Sequence, residues 1–257
     1  MERMIDRHRL IGSLAFLCLS AHGLLLAYGM HNNAPTPDEV AHLPAGLSHL
    51  ELQRFDLYRV NPPLVRTLAA LPVYFSDAVL DWSNYLGGHF DRPEFPVGAD
   101  FMLNNQPQTQ WYFLIARLMC VPFSLLAGWL CFRWSRELFG DWPALLALML
   151  WCFLPEAIGH GQMITPDVAA TALGMFFWYS FWRWRKTASW RGAFFCGALL
   201  GLAVLSKTTW LIAYPLVAIL MLSFPHDRKL FTRASQYVII VAVSVYCINL
   251  AYLFEGS

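Results

Sequence analysis

The sequence predicts an all-α, polytopic membrane protein of about seven transmembrane helices, with a large extracytoplasmic first loop that carries surface helices. Three observations predict it. Of the 257 residues, 57% are hydrophobic and only 14% are charged, against about 25% charged in an ordinary soluble domain. The apolar residues gather in runs near the roughly 20 residues that a spanning helix needs. Lys and Arg cluster in alternate polar segments between those runs, as the positive-inside rule expects. A net charge of +1 and the lack of a basic recognition element leave no case for a nucleic-acid partner. The six cysteines all lie in apolar runs without a C-x-x-C pair, so they read as small buried hydrophobes.

The first apolar run, about 10–30, follows Arg3, Arg7 and Arg9. It is longer than the roughly 7–15 residues of a signal-peptide core and lacks a small-x-small cleavage site, so it reads as an uncleaved span with a cytoplasmic N-terminus. Residues 31–110 form the extracytoplasmic loop. From Pro37 to about Phe55 the pattern is helical, with Pro44 expected to kink it. Asp38, His42 and His49 fall near one face of that helix. Asn61-Pro62-Pro63-Leu64 then turns the chain into a second helix over about 64–75, and 81–110 reads as a flexible loop without periodicity. A second span covers about 111–132. Residues 143–182 hold two short apolar helices broken by Pro155 and Pro166. The run 192–224 is interrupted by Lys207, and charge decides its reading. With a turn at Lys207, segments 133–142, 183–191 and 225–233 join the N-terminus on the cytoplasmic side and together hold 12 of the 18 Lys and Arg. With a single span, Arg228, Lys229 and Arg233 would land outside. A last span covers about 235–254.

Thr-Pro-Asp occurs twice, at 36–38 and 165–167, each time ahead of a predicted helix and each time on the extracytoplasmic side. Thr suits the N-cap, Pro the first helical position and an acid the first turn; Thr36 with Glu39 is a capping box. Capping and a chemical role are both open readings of Asp38 and Asp167. The histidines read as polar-face residues or as two members of a metal set. Arg59 and Arg66 flank Asn61 as solvated arginines or as contacts for phosphate. Arg117, about 10 Å into the second span at 1.5 Å per residue, needs a partner, either an acid or a phosphate. Lys207, alone between two apolar runs, is a snorkelling anchor or a site residue.

Three ordered blocks carry a family resemblance: Asp38-Glu39 opening a loop helix, followed by Gly46, Asn61-Pro62-Pro63-Leu64 and Leu71-Pro72; then Pro155 to Asp167, PEAIGHGQMITPD; then Gly197 to Thr209, GALLGLAVLSKTT. Together they resemble the GT-C glycosyltransferases, in the protein O-mannosyltransferase and aminoarabinose-transferase branch. The resemblance covers essentially the whole chain and implies a single module over 1–257, without the further spans and soluble domain of longer relatives. It implies transfer of a sugar from a polyprenyl-phosphate donor to a glycan, lipid or protein acceptor at the outer face of a plasma membrane such as the bacterial inner membrane. It matches Asp38 to the catalytic carboxylate, Glu39 to the acid beside it and Asp167 to the second acid. Some relatives carry Lys where Asn61 stands, which shifts phosphate contact to Lys207 or Arg117; Arg59 and His42 complete the expected substrate-binding set.

The chemistry asked of such residues is modest. A glycosyl phosphate has a good leaving group, so an inverting displacement needs a base for the acceptor, here Asp38, and a cation or a divalent metal for the departing phosphate. A polar-lipid transporter and a non-catalytic membrane module are the competing classes. A transporter often shows inverted repeats and midplane charges, whereas this chain repeats only Thr-Pro-Asp.

Overall fold

The computed structural model describes residues 2–85, 92–222 and 230–255, and among them every regular element is helical. Twelve α-helices are described: α1 Glu2–Asn32, α2 Pro37–Glu51, α3 Leu64–Tyr74, α4 Glu94–Asn104, α5 Thr109–Leu118, α6 Val121–Phe139, α7 Asp141–Phe153, α8 Pro155–His160, α9 Pro166–Thr187, α10 Trp190–Ser206, α11 Ala213–Leu222 and α12 Leu230–Ala251. A 3-10 turn, Thr208–Ile212, precedes α11.

Three stretches are long and apolar enough to cross a membrane: Arg7–Asn32, Thr109–Phe139 and Thr232–Ala251. Leu64–Tyr74, Asp141–Phe153, Trp190–Ser206 and Thr208–Met221 are shorter apolar helices. Length and composition therefore mark three crossings among the described residues. Arg228 and Lys229, on which the charge argument for seven partly rests, lie outside the described residues.

The outward faces carry large bare apolar side chains, among them Leu24 at 72%, Phe16 at 69% and Leu150 at 65% exposure. Water would penalise such surface by about 25 cal/mol per Å², and hydrocarbon would not. A polar group inside the bundle is instead used to join helices. His22 on α1 is fully buried, its two ring nitrogens 2.8 Å from the Cys152 carbonyl and 2.8 Å from the Ser124 hydroxyl, tying α1 to α7 and α6. Gly197 and Gly201, a small-xxx-small pair on α10, let α12 approach closely: a methyl on either would lie 2.8 Å from an atom of α12.

The first loop is a packed helical layer. Leu43 and Leu47 of α2, Val65 and Val73 of α3, Phe101 of α4, and Phe113 and Ala116 of α5 share one core with Ile164 and Ala169 at the start of α9. Gly46 and Gly98 permit this closeness, since a Cβ on either would meet a backbone carbonyl, of Arg66 or Val40, at 2.1 Å. Two expectations for this layer are corrected. Part of 81–110 is helical, because Val97 and Phe101 bury one side of α4 against α2 and the shared core. The expected acid-and-imidazole edge is divided: Asp38 is exposed, whereas His42 and His49 are each only 4% exposed, covered by α3 and the 52–61 turn.

Candidate active site

The two Thr-Pro-Asp motifs do begin helices, and Asp38 and Asp167 occupy the same second helical position of α2 and α9. Their caps differ. Thr36 and Glu39 form the reciprocal capping box, with the Glu39 amide donating to Thr36 Oγ1 at 3.4 Å and the Thr36 amide donating to Glu39 Oε2 at 2.9 Å. Thr165 makes no such bond, and its buried hydroxyl has no partner among the described residues.

Glu39 is fully buried and Arg117 nearly so, at 1% exposure. Arg117 donates Nε to Glu39 Oε1 and Nη2 to Glu39 Oε2, each at 2.7 Å. Its remaining N–H groups go to the carbonyls of Met30, Asn33 and Ala34, at the end of α1. All five guanidinium donors are thereby used. Glu39 Oε1 also accepts the Ile164 amide at 3.2 Å, just ahead of the second Thr-Pro-Asp. Burial alone pushes the Glu39 carboxyl up, but Arg117 and the Thr36 and Ile164 amides together hold it below the usual carboxylate range. This one carboxylate fixes the starts of α2 and α9 to the end of α1.

The groups in front of that lock are less committed. Among the described residues Asp38 makes no hydrogen bond or ion pair, and its side chain is exposed. Asp167 Oδ1 receives Lys207 Nζ at 2.6 Å, with both side chains part-exposed. Lys207 stands where α10 ends and the backbone turns extended. Trp210 holds that turn against α9: its indole N–H donates to the Ala170 carbonyl at 2.9 Å, and its ring fills the space a side chain at Gly174 would need.

His42 and Tyr58 are within electrostatic reach of Asp167 and Asp38 respectively. Their rings meet edge to face at 4.6 Å. Burial, and then the nearby Arg66, lower the His42 pKa to about 3, while Asp167 pulls it the other way. Tyr58 is raised by burial and next by Asp38. Asp38 thus acts on Tyr58 and Asp167 on His42, and the two rings are in contact. No motif marks Tyr58 or Trp210, aromatics that support their neighbours, and Arg66, open in the sequence as a solvated arginine or a phosphate contact, is instead buried at 3% exposure. Arg66 is buried and donates to the carbonyls of Tyr58, at 2.5 Å, and of Asn61. It fixes the turn that presents Tyr58. Asn61 is half-buried in that turn and Arg59 is exposed on it, nearer Tyr85.

A cavity of about 230 Å³ opens beside Asp167, with Glu156 and His160 in its wall. Among the described residues no group of three or more His, Cys, Asp or Glu side chains is placed to hold a metal ion.

The chain matches the dolichyl-phosphate-mannose-protein mannosyltransferase family over residues 110–252, more than half of its length. It belongs to that family. Membership marks this chain as a mannosyltransferase-like glycosyltransferase of the GT-C type, and together with the apolar helices it marks an integral membrane protein. No curated protein matches the chain. The mannosyltransferase match takes in Arg117, Asp167 and Lys207, while Asp38 and Glu39 lie ahead of it.

Proposed function

We propose that this protein transfers a sugar from a polyprenyl-phosphate donor to a hydroxyl of a glycan, lipid or protein at the extracytoplasmic membrane face, with Asp38 as the base. One observation carries the reading: of the two adjacent acids, Glu39 is consumed by Arg117 and the capping box, while Asp38 is exposed and makes no hydrogen bond or ion pair among the described residues, and Glu39 also binds the Ile164 amide just ahead of Asp167. The name of the family supports a phosphate-linked mannosyl donor.

In this reading Asp38 takes the proton of the acceptor hydroxyl as its oxygen attacks the anomeric carbon. The bond from that carbon to the phosphate oxygen breaks on the opposite side, and its electron pair leaves with the phosphate. The stereochemistry inverts. Lys207 moves from Asp167 to the departing phosphate, an exchange that is inexpensive because exposed ion pairs contribute only about 0–1 kcal/mol. Glu156 and His160 offer hydrogen bonds to sugar hydroxyls in the cavity beside Asp167. Glu39 and Arg117 hold the frame, while His42, Arg59 and Asn61 shape the approach.

The same reading carries a membrane topology of seven crossings with a cytoplasmic N-terminus. It is supported by the distribution of Lys and Arg and by α9, whose 22 residues reach about 33 Å at 1.5 Å per residue.

The test supplies membranes containing the full chain with radiolabelled polyprenyl-phosphate mannose, a nucleotide-linked mannose, or a polyprenyl-pyrophosphate sugar. Label should leave the polyprenyl-phosphate donor and appear in an acceptor fraction with inverted anomeric configuration. Consumption of the nucleotide sugar alone would overturn the donor class.

A further inference from the structure

At the far end of α9 from Asp167, a second cavity of about 560 Å³ lies between the last turns of α6 and α9 and the first turns of α10. That volume is within the range of ligand pockets, about 300–1,000 Å³. Its walls are apolar, including Trp129, Phe176 and Phe195, and Phe195 and Trp129 also stand bare on the bundle's outer surface at 49% and 42% exposure. The cavity is therefore continuous with the surface that acyl chains cover.

Its polar end is basic. Arg133 Nε and Arg183 Nη1 both donate to the Tyr179 hydroxyl at 3.3 Å, and that hydroxyl donates to Glu137 at 2.7 Å. Glu137 also pairs with Arg133 at 2.9 Å and stands 3.9 Å from Arg183. One carboxylate thus faces two guanidiniums, whose side chains are 41% and 56% exposed. Each guanidinium carries five N–H groups, more than Tyr179 and Glu137 accept. An unbalanced pair of arginines over an apolar cleft at a membrane surface suits a phosphate with hydrocarbon attached.

We propose that this cavity binds the phosphate of an anionic phospholipid in the leaflet opposite Asp38, between Arg133 and Arg183, with its acyl chains along Trp129 and Phe195. Arg183 stands sixteen residues along α9 from Asp167, about 24 Å at 1.5 Å per residue, so the site is separate from the proposed sugar-transfer chemistry.

The test uses the purified full chain in detergent, titrated with dioleoyl phosphatidylglycerol or dioleoyl phosphatidylcholine and read by native mass spectrometry. Phosphatidylglycerol should be retained about tenfold more tightly, and Arg133→Gln with Arg183→Gln should remove that preference. Glu137→Gln, which deletes the competing carboxylate, should tighten phosphatidylglycerol further, an effect that damaged folding would not produce. Equal retention of the two lipids, a preference that survives the double substitution, or displacement of phosphatidylglycerol by inorganic phosphate at equimolar concentration would overturn the proposal.

Discussion

Arg117 binds Glu39 through two parallel 2.7 Å hydrogen bonds across 78 residues of sequence, and neither side chain is more than 1% exposed. The pair joins the helix that carries Asp38 to the turn ahead of Asp167. Removing one partner of a buried pair leaves a bare charge, at a cost of about 3–5 kcal/mol. Arg117→Met should therefore lower thermal stability sharply, whereas Arg117→Met combined with Glu39→Leu should recover part of it. Thermal unfolding in detergent checks this, and equal stability of the single and double variants would contradict the coupling.

The Asp167–Lys207 pair behaves in the opposite way. Being part-exposed, it contributes no more than about 1 kcal/mol, so Lys207→Met should leave the unfolding temperature nearly unchanged. If Lys207 meets the donor phosphate, the same variant should weaken donor binding by about 10–100-fold, the worth of one charged hydrogen bond. Lys207→Arg should keep part of the affinity. Unchanged donor affinity in Lys207→Met would make the lysine an anchor only.

These two pairs show how far the sequence was legible. The Thr-Pro-Asp pattern marks the starts of α2 and α9, because Pro at the first helical position acts locally on its own backbone, although only Thr36 makes a side-chain cap bond. Arg117 needed a partner by depth alone, and an acid was one of the two partners open to it. That the acid is Glu39 was not legible, since proximity across 78 residues depends on how the loop layer folds over α5. The burial of His42 and His49 was hidden for a related reason. Their spacing describes a helix face, but α3 covers that face only because Gly46 lets the two helices touch. The α4 helix escaped notice because its stripe of Val97 and Phe101 is short and begins behind Pro93.

The buried histidines set a pH dependence. His42 and His49 titrate at about 3 and 4 in the fold, rather than 6.5, chiefly because of burial and then because of Arg66. The unfolded chain takes up these protons first as pH falls. Their contribution to stability is therefore complete above about pH 6.5 and is lost towards about pH 4, at up to about 1.4 kcal/mol per pH unit for each ring. Glu39, depressed below its usual range, acts with the same sign at lower pH. The unfolding temperature should drop between about pH 7 and about pH 5, and His42→Gln should flatten the slope. A flat profile in the parent protein would contradict it.

Topology is checked with cysteines at two exposed positions. Arg59→Cys should react with an impermeant thiol reagent in intact cells, and Arg191→Cys only after permeabilisation. Reaction of Arg191→Cys from outside would reverse the proposed orientation.

The central claim is that Asp38, not its neighbour Glu39, is the base. Asp38→Asn removes the carboxylate but leaves Thr36, Pro37 and the Glu39–Arg117 lock in place. The most direct measurement is single-turnover transfer from polyprenyl-phosphate mannose by Asp38→Asn, with donor affinity and unfolding temperature measured on the same preparation. The account predicts a rate lower by about 10²–10⁴-fold, with affinity and stability close to the parent's. Transfer at the parental rate would contradict it.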